Sequence, residues 1–150
     1  MTTKSSKSGI RKLTPRTHAR GWPESVRMRA VAPSLTVNDL AKSIAFYCDV
    51  LGFIVAERWE EAGALRGVSL KSGACEFNLT QDDWKKGRDR EKGAGFRLQC
   101  LTVQEIDSLG ESIKARGGKL EREPMDQLWG VRDLEIVDPD GFRITIYKPL

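Results

Sequence analysis

The side chains that usually carry catalysis are scarce in this sequence of 150 residues. The one histidine, His18, lies in the basic N-terminal segment, so the rest of the chain has no Ser–His or Cys–His pair. Histidine and carboxylate clusters with the spacing of metal ligands are also missing from it. The three cysteines have no paired spacing, which argues against a disulfide framework and predicts a cytoplasmic location.

Polar residues recur at every second position of two predicted strands, one near the end of each half of the chain. In the last strand Arg143, Thr145 and Tyr147 alternate with apolar residues, so they share one face. Glu76 and Asn78 form the matching polar pair in the first half. These five side chains are candidates for contacting a ligand. Arg143 has two candidate partners, an anionic ligand or the carboxylate of Glu76.

Three tryptophans admit both a structural and a functional interpretation. Trp59, near the end of a predicted strand, and Trp129, in a predicted loop, are either buried structure or walls of a binding pocket, as aromatic residues commonly are. Trp84 is the only large apolar residue of a charged, glycine-punctuated stretch, residues 81–95. We expect it to be pinned to a neighbouring surface, and the alternative is a mobile flap over a pocket.

The scaffold for these residues is predicted by a repeated pattern. Residues 34–37 alternate as a short strand does, and Asn38 or Asp39 can then cap a helix whose apolar stripe ends before Gly52. That stripe consists of Leu40, Ile44, Tyr47 and Leu51. Shifting the sequence by 66 positions aligns Leu40 with Ile106, Tyr47 with Ile113 and Gly52 with Gly118. The period is about half the chain, which favours two α+β modules.

The remaining elements follow from alternation and turn residues. Thr102 to Glu105 has the spacing of a capping box ahead of the second helix. Lys119 to Glu123 is predicted as a strand and Pro124 to Gly130 as a loop. The other predicted strands are 53–59, 65–71, 74–80, 96–102, 131–137 and 142–148. The sequence thus predicts eight strands and two helices, in a module 1 of residues 30–80, a linker or flap of residues 81–95 and a module 2 of residues 96–150.

The repeat at residues 34–53, together with Trp129 to Arg132 and Asp138 to Tyr147, resembles the glyoxalase, bleomycin-resistance and extradiol-dioxygenase superfamily, also called vicinal oxygen chelate proteins. The resemblance covers about Ala30 to Pro149. It implies an α+β domain of two tandem βαβββ modules, with curved mixed sheets around a cavity and helices on the outer face. It also implies a small-molecule ligand and a homodimer.

The same resemblance assigns four metal-ligand positions, which fall on Ala32, Asn78, about Leu98, and Thr145. None of these is a strong ligand for a divalent transition metal. We therefore expect no metal or other cofactor, and a small-molecule-binding protein of the bleomycin-resistance type. Two alternatives stay open: a superfamily enzyme, lyase, isomerase or dioxygenase-like, using Glu76 or another carboxylate as its base, and an interaction module.

The interaction module would use the basic N-terminal arm, residues 1–29. Eight Lys and Arg against one Glu give residues 1–30 a charge of +7, which leaves −3 for the other 120 of a chain whose total is +4. Any contact with nucleic acid or an anionic surface is therefore expected through the arm alone. A further interpretation of the arm is that it is an organelle presequence. No apolar run approaches the ~20 residues of a membrane helix.

Overall fold

A computed structural model describes residues 26 and 28–150, and Ala32–Leu150 form one compact unit. Most of the predicted arm, residues 1–29, lies outside the described residues. The described part contains β1 (Ser34–Val37), α1 (Leu40–Ala45) continued by a π-helical segment (Phe46–Val50), β2 (Ile54–Glu61), β3 (Ala64–Ser72), β4 (Cys75–Gln81), β5 (Arg97–Leu101), α2 (Ile106–Ala115), β6 (Arg122–Gln127), β7 (Val131–Val137) and β8 (Arg143–Pro149). None of these helices has the length and apolar character needed to cross a membrane.

Each half of the unit builds one four-stranded mixed sheet. The strand orders are β1-β4-β3-β2 and β5-β8-β7-β6. In each sheet the strand before the helix runs parallel to the last strand of its module, and the other neighbours are antiparallel. The two sheets are separate and unclosed, and the predicted α+β fold of two βαβββ modules is confirmed.

The first helix begins and ends where the sequence predicts. Asp39 is its N-cap, and the Asp39 Oδ1 atom accepts a hydrogen bond from the Lys42 backbone N–H at 3.1 Å. Gly52 follows the helix with a φ of 79°, a conformation that glycine adopts without a steric penalty. The π-helical geometry of the second half of the helix was not predicted.

The cap of the second helix differs from its prediction. Glu105 is the N-cap of α2 and makes no side-chain cap bond. The Thr102 hydroxyl instead accepts a hydrogen bond from the Gln104 backbone N–H at 3.1 Å, within a turn that precedes the helix. The predicted capping box is therefore wrong, because the Thr102 hydroxyl binds the backbone N–H two residues later and not that of Glu105.

The sixth strand also differs from its prediction. β6 covers Arg122–Gln127, which takes in part of the predicted loop, and its pairing with β7 is irregular between Arg122 and Met125. It is one of the two edge strands of its sheet. Proline has no backbone N–H to donate, yet an edge strand tolerates it, so Pro124 does not end the strand.

The apolar faces of both sheets and both helices share one hydrophobic core. Its buried members are Leu35, Val37, Leu40, Tyr47, Val68, Leu70, Phe77, Leu79, Ile106, Ile113, Leu120, Leu134, Ile136, Phe142 and Ile144. A buried hydrogen bond of 2.8 Å also joins the modules, from the Tyr47 hydroxyl to Asp138 Oδ2 in the β7–β8 turn. Burial raises the pKa of both Tyr47 and Asp138. Because the apolar faces meet inside, the polar faces of the two sheets point away from the shared core.

Candidate functional site

Each sheet carries its polar side chains on the surface opposite the core, and strand pairing fixes which residues share it. In the first sheet Glu76 lies opposite Lys71, Asn78 opposite Ser69, and Trp59 opposite Gly67. We call this surface the module 1 face. The corresponding module 2 face consists of Arg97, Gln99, Arg122, Asp133, Glu135, Arg143, Thr145 and Tyr147.

Glu135 lies at the centre of the module 2 face and is 4% exposed. The Arg143 Nη1 atom donates to Glu135 Oε1 at 2.7 Å, and the Arg122 Nη1 atom to Glu135 Oε2 at 3.4 Å. The Thr145 hydroxyl donates to the same Oε2 at 3.4 Å, and Arg97 Nε lies 3.9 Å from it. One buried carboxylate therefore organises three guanidinium groups and a hydroxyl.

Asp133 is the second buried carboxylate of this face. Its Oδ2 atom is 3.0 Å from Arg122 Nη2, and its Oδ1 atom accepts from Gln127 Nε2 at 2.9 Å. Arg122 thus bridges Asp133 and Glu135. Three arginines against two carboxylates leave this network with one excess positive charge.

The structure places Arg143, Thr145 and Tyr147 on the module 2 face, as their alternation predicts, with Ile144 buried on the core side. The partner of Arg143 within the chain is Glu135 and not Glu76, because the polar faces of the two sheets point away from the core they share and do not face each other. Thr145 is only 2% exposed, since it lies beneath the Glu135 carboxylate.

Trp59, Glu76 and Asn78 come together on the module 1 face. The Trp59 ring lies across Gly67, where an added Cβ would be 1.9 Å from the ring carbon Cζ2, so glycine is required for this contact. Trp59 is 40% exposed, and Glu76 and Asn78 are half-buried. This face offers an aromatic surface, a carboxylate and an amide for contact.

Trp129 lies on neither the module 1 face nor the module 2 face. It lies in the turn between β6 and β7 and is 71% exposed, so the interpretation as buried structure is wrong. The neighbouring Leu128 is fully exposed. A turn at the tip of a hairpin positions Trp129 beyond the end of the sheet.

Asp133, Glu135 and Arg122 are site residues that the sequence reasoning missed. A signal for the two acids was present, because the segment 131–137 alternates charged residues with Leu134 and Ile136. Pairing that strand with the last one across the Asp138–Gly141 turn would have placed both acids beside Thr145 and Tyr147. Arg122 had no such signal, since its strand was predicted with the wrong bounds.

The positions implied for metal ligands do not provide a metal site. Asn78 and Thr145 lie on the polar faces, but Leu98 is paired with Ile144 on the core side, and Gln99 is the residue beside Thr145. Amide and hydroxyl side chains are poor ligands for transition metals, and Glu135 is already bound by arginines. Among residues 26 and 28–150, no three His, Cys, Asp or Glu side chains form a group that could hold a metal ion. The residues present do not fit the metal of the superfamily.

The linker between the modules is held by ion pairs. The buried Asp82 carboxylate is 2.6 Å from Arg90 Nη2 and 2.8 Å from Lys92 Nζ, and it accepts from the Trp84 backbone N–H. These contacts, that with Lys92 foremost, hold the pKa of Asp82 well below its usual range. Arg88 and Lys92 lie over the Trp84 ring. Trp84 is therefore packed within the linker itself.

Two cavities adjoin these elements. One of about 620 Å³ lies beside the module 2 face, between the linker and the β7–β8 turn. The other, of about 420 Å³, lies at the seam of the two modules among mainly apolar residues, including Phe53, Phe77 and Ile146. Cys75 and Cys100 are free thiols that line the seam cavity. Burial, and to a lesser degree Cys75, raises the pKa of Cys100 to about 11, so this thiol is a poor nucleophile at neutral pH.

Comparison with known proteins agrees with this architecture. A probable lactoylglutathione lyase of Synechocystis sp. is 34% identical over 121 residues, covering 76% of this chain and 90% of that protein. A bleomycin resistance protein of Geobacillus stearothermophilus is 28% identical, covering 79% and 95%. The crystal structure of TnmS3, an antibiotic binding protein from Streptomyces sp. CB03234, superposes with a TM-score of 0.62 at 22% identity, covering 83% of this chain and 100% of the other.

A family model matches nearly the whole compact unit. It spans residues 28–146 and is described as the Glyoxalase/Bleomycin resistance protein/Dioxygenase superfamily. The matched residues include both helices, the strands β1 to β7 and the first four residues of β8. The chain therefore belongs to the glyoxalase, bleomycin-resistance and dioxygenase superfamily.

Proposed function

We propose that this chain binds a small molecule without the help of a metal ion, using the polar faces of its two sheets. The observation that carries the proposal is the module 2 face, where buried carboxylates hold arginine side chains in fixed positions. Such a surface binds by hydrogen bonds and charge, and preorganised groups lose less entropy when a ligand arrives. The relatives named for bleomycin resistance and antibiotic binding support a binding role.

The ligand site is proposed to lie between two chains of a homodimer. The module 1 face and the module 2 face point away from the core they share, so they do not enclose a space within one chain. A second copy would bring its module 1 face, with Trp59, Glu76 and Asn78, against the module 2 face of the first. Light scattering coupled to size-exclusion chromatography tests this assembly, and a monomer at micromolar concentration would contradict it.

The binding proposal is tested by a ligand screen read by thermal shift, with elemental analysis of the purified protein. We expect at least one retained or added small molecule that raises the melting temperature and is not turned over. We expect no stabilisation by Ni, Zn, Mn or Fe, because the residues present offer no ligand set. About one metal ion per chain would overturn the metal-free assignment.

An enzyme remains the second candidate, since the relative of highest identity reported above is named a probable lactoylglutathione lyase. Glu76 would then be the base, because it is half-buried on the module 1 face beside Lys71. An assay for lactoylglutathione lyase activity decides between the two functions. Turnover that is lost in Glu76→Gln and kept in Glu60→Gln, an exposed carboxylate of the same module, would favour the enzyme.

The basic arm keeps its own proposed role, as a segment that contacts nucleic acid or another anionic surface. The support is the charge of +7 in residues 1–30. Binding to DNA or RNA that weakens steeply with salt and disappears when residues 1–23 are deleted would support this role. Binding that survives the deletion would contradict it.

A further inference from the structure

We propose that the small molecule bound by the module 2 face is an anion, carrying a carboxylate or phosphate group held by Arg97 and Arg143. This inference rests on the proposed binding function and adds the chemical class of the ligand. It concerns the end of the face that opens into the cavity beside the linker.

The cavity provides the space for such a ligand. Its volume is about 620 Å³, within the range of small-molecule sites. Arg97 and Arg143 line it, together with the segment Gly93 to Phe96. Gly93 packs directly on the Gly141 backbone, where a Cβ would be 1.9 Å from the carbonyl oxygen, so the wall is closely built. The cavity is therefore bounded by two arginines and a packed glycine loop.

Among the residues that the structure describes, the two guanidinium groups retain N–H donors without a hydrogen-bond partner. Arg97 and Arg143 are direct neighbours on parallel strands, and their side chains share the module 2 face. Arg143 uses Nη1 for its bond to Glu135, while Arg97 reaches that carboxylate only at 3.9 Å and is 55% exposed. Each guanidinium has five N–H donors in a planar fork, which matches a carboxylate or a phosphate. An anion is the partner that these free donors suit.

The carboxylates that line the same cavity do not reverse this preference. The Asp140 Oδ1 atom accepts from the Asn38 backbone N–H at 2.9 Å, and Oδ2 accepts from the Ser43 hydroxyl at 3.3 Å. Asp140 is thus occupied by residues at the start of the first helix. Glu91 lies on the exposed linker. The charged residues that line the cavity are Lys92, Arg97 and Arg143 against Glu91 and Asp140, which gives an excess of one positive charge.

An apolar surface beside the arginines favours an aromatic anion. Phe96 lines the cavity and is partly exposed, and its ring packs edge-on against Phe142 with centroids 5.7 Å apart. This contact fixes one ring while leaving part of its surface open. A ligand that joins a flat apolar group to an anionic group would contact Phe96 and the arginines together.

The test is a titration of the full chain with four small probes of similar shape, in which isothermal titration calorimetry measures the binding. Phenyl phosphate and benzoate are anionic, benzyl alcohol is neutral and benzylamine is cationic. We expect the two anions to bind more tightly than the other two. We expect Arg97→Gln to weaken the anions by about tenfold or more, because charge-assisted hydrogen bonds are lost. Arg66→Gln is the matched control, an exposed arginine of β3 with one distant partner, Glu61 at 3.9 Å.

The outcomes separate this inference from the proposed function. If neither anion binds better than the neutral probe, or if Arg97→Gln behaves like Arg66→Gln, the anion assignment is overturned. Metal-free binding of a neutral or cationic molecule that depends on Trp59 would then still support the proposed function. If the protein is a monomer but binds phenyl phosphate through Arg97, the anion site stands and the dimer proposal fails. Preference for phenyl phosphate over benzoate identifies phosphate as the group.

Discussion

The two polar faces are built on the same βαβββ topology, yet they differ in how their polar groups are used. On the module 2 face, buried carboxylates are bonded to Arg122 and Arg143. On the module 1 face, Trp59 covers Gly67, and Glu76 and Asn78 are left half-buried. One face is a fixed network and the other offers side chains that have room to adapt.

This difference shows which part of the repeat the fold requires. The positions that align at a spacing of 66 residues include Leu40 with Ile106 and Tyr47 with Ile113, and all four are buried in the shared core. Core positions are constrained by close packing, since adding or removing one methylene group there changes the stability of the fold. The polar faces have no such shared constraint, so the modules differ there.

The largest expected effect compares the two sides of β8. Ile144→Ala should lower the free energy of unfolding by ~2–5 kcal/mol, because it leaves a cavity in the shared core. Thr145→Val keeps the shape and removes one hydrogen bond to Glu135, so its cost should be ~0.5–1.5 kcal/mol. Urea denaturation of both variants measures these costs. A larger loss for Thr145→Val would reverse the assignment of the two sides.

The second effect applies one substitution to both faces. Glu135→Gln removes the charge that holds three arginines, and we expect a loss of ~1–3 kcal/mol, limited by the partial exposure of those arginines. Glu76→Gln should change stability by less than ~0.5 kcal/mol. Thermal and urea unfolding give both values. Equal losses of stability in the two variants would mean that Glu76 and Glu135 are held by ion pairs and hydrogen bonds of equal strength.

A smaller effect probes the module 1 face. Gly67→Ala would place a Cβ in the Trp59 ring, so the ring must swing towards solvent, at a cost of ~1 kcal/mol. The measurement is tryptophan fluorescence, whose emission should shift to the red. The same substitution in a Trp59→Phe protein is the control and should leave the emission unchanged. An unshifted spectrum in the first variant would mean that the ring does not lie on Gly67.

The smallest effect compares the buried pairs of β7 with an exposed one on its other side. Arg132 Nη2 is 2.8 Å from Asp107 Oδ1 on α2, and this bond lowers the pKa of Asp107 from its ordinary value of 3.8. The pair therefore stabilises the fold above pH 3.8, and its contribution is lost as the pH falls through the lowered value. Asp107→Asn should reduce the melting temperature slightly at pH 7, and this difference should shrink progressively as the pH falls below 3.8.

The salt concentration provides a second test, since salt screens exposed ion pairs and screens buried ion pairs much less. The effect of Asp107→Asn should shrink in 1 M NaCl, while that of Glu135→Gln should remain. A difference between wild type and Asp107→Asn that does not shrink as the pH falls below 3.8 would contradict the assigned ion pair.

The fold was predictable because its signals are local and repeated. Helical spacing, the Asp39 cap and Gly52 define the first helix, and period-two alternation defines the strands. The family resemblance added the grouping of the strands and helices into two βαβββ modules. Errors fell at β6, where an edge position tolerates Pro124, and at Thr102, where a local turn takes the hydroxyl.

The site was predictable in part. Alternation gave the shared face of Arg143, Thr145 and Tyr147, but their bonding partner depends on strand pairing, which lies outside the strand itself. Glu135 is eight residues from Arg143 in sequence and was not considered. The position of Trp59 over Gly67 depends on the register of β2 and β3, which shifts between Val55 and Glu57 and again between Trp59 and Glu60. Long-range register is what the pattern of one strand leaves open.

The hydrogen bond between Tyr47 and Asp138 has a consequence for cutting the chain. A fragment ending at residue 86 would expose the apolar faces of β3 and β4 to water and leave the Tyr47 hydroxyl without its acceptor. A fragment starting at residue 87 would expose Leu134, Ile136 and Ile144 in the same way. Neither fragment should be soluble and folded alone. Co-expressed, the two should reassociate through the core, which makes residues 86 and 87 a site for a split reporter.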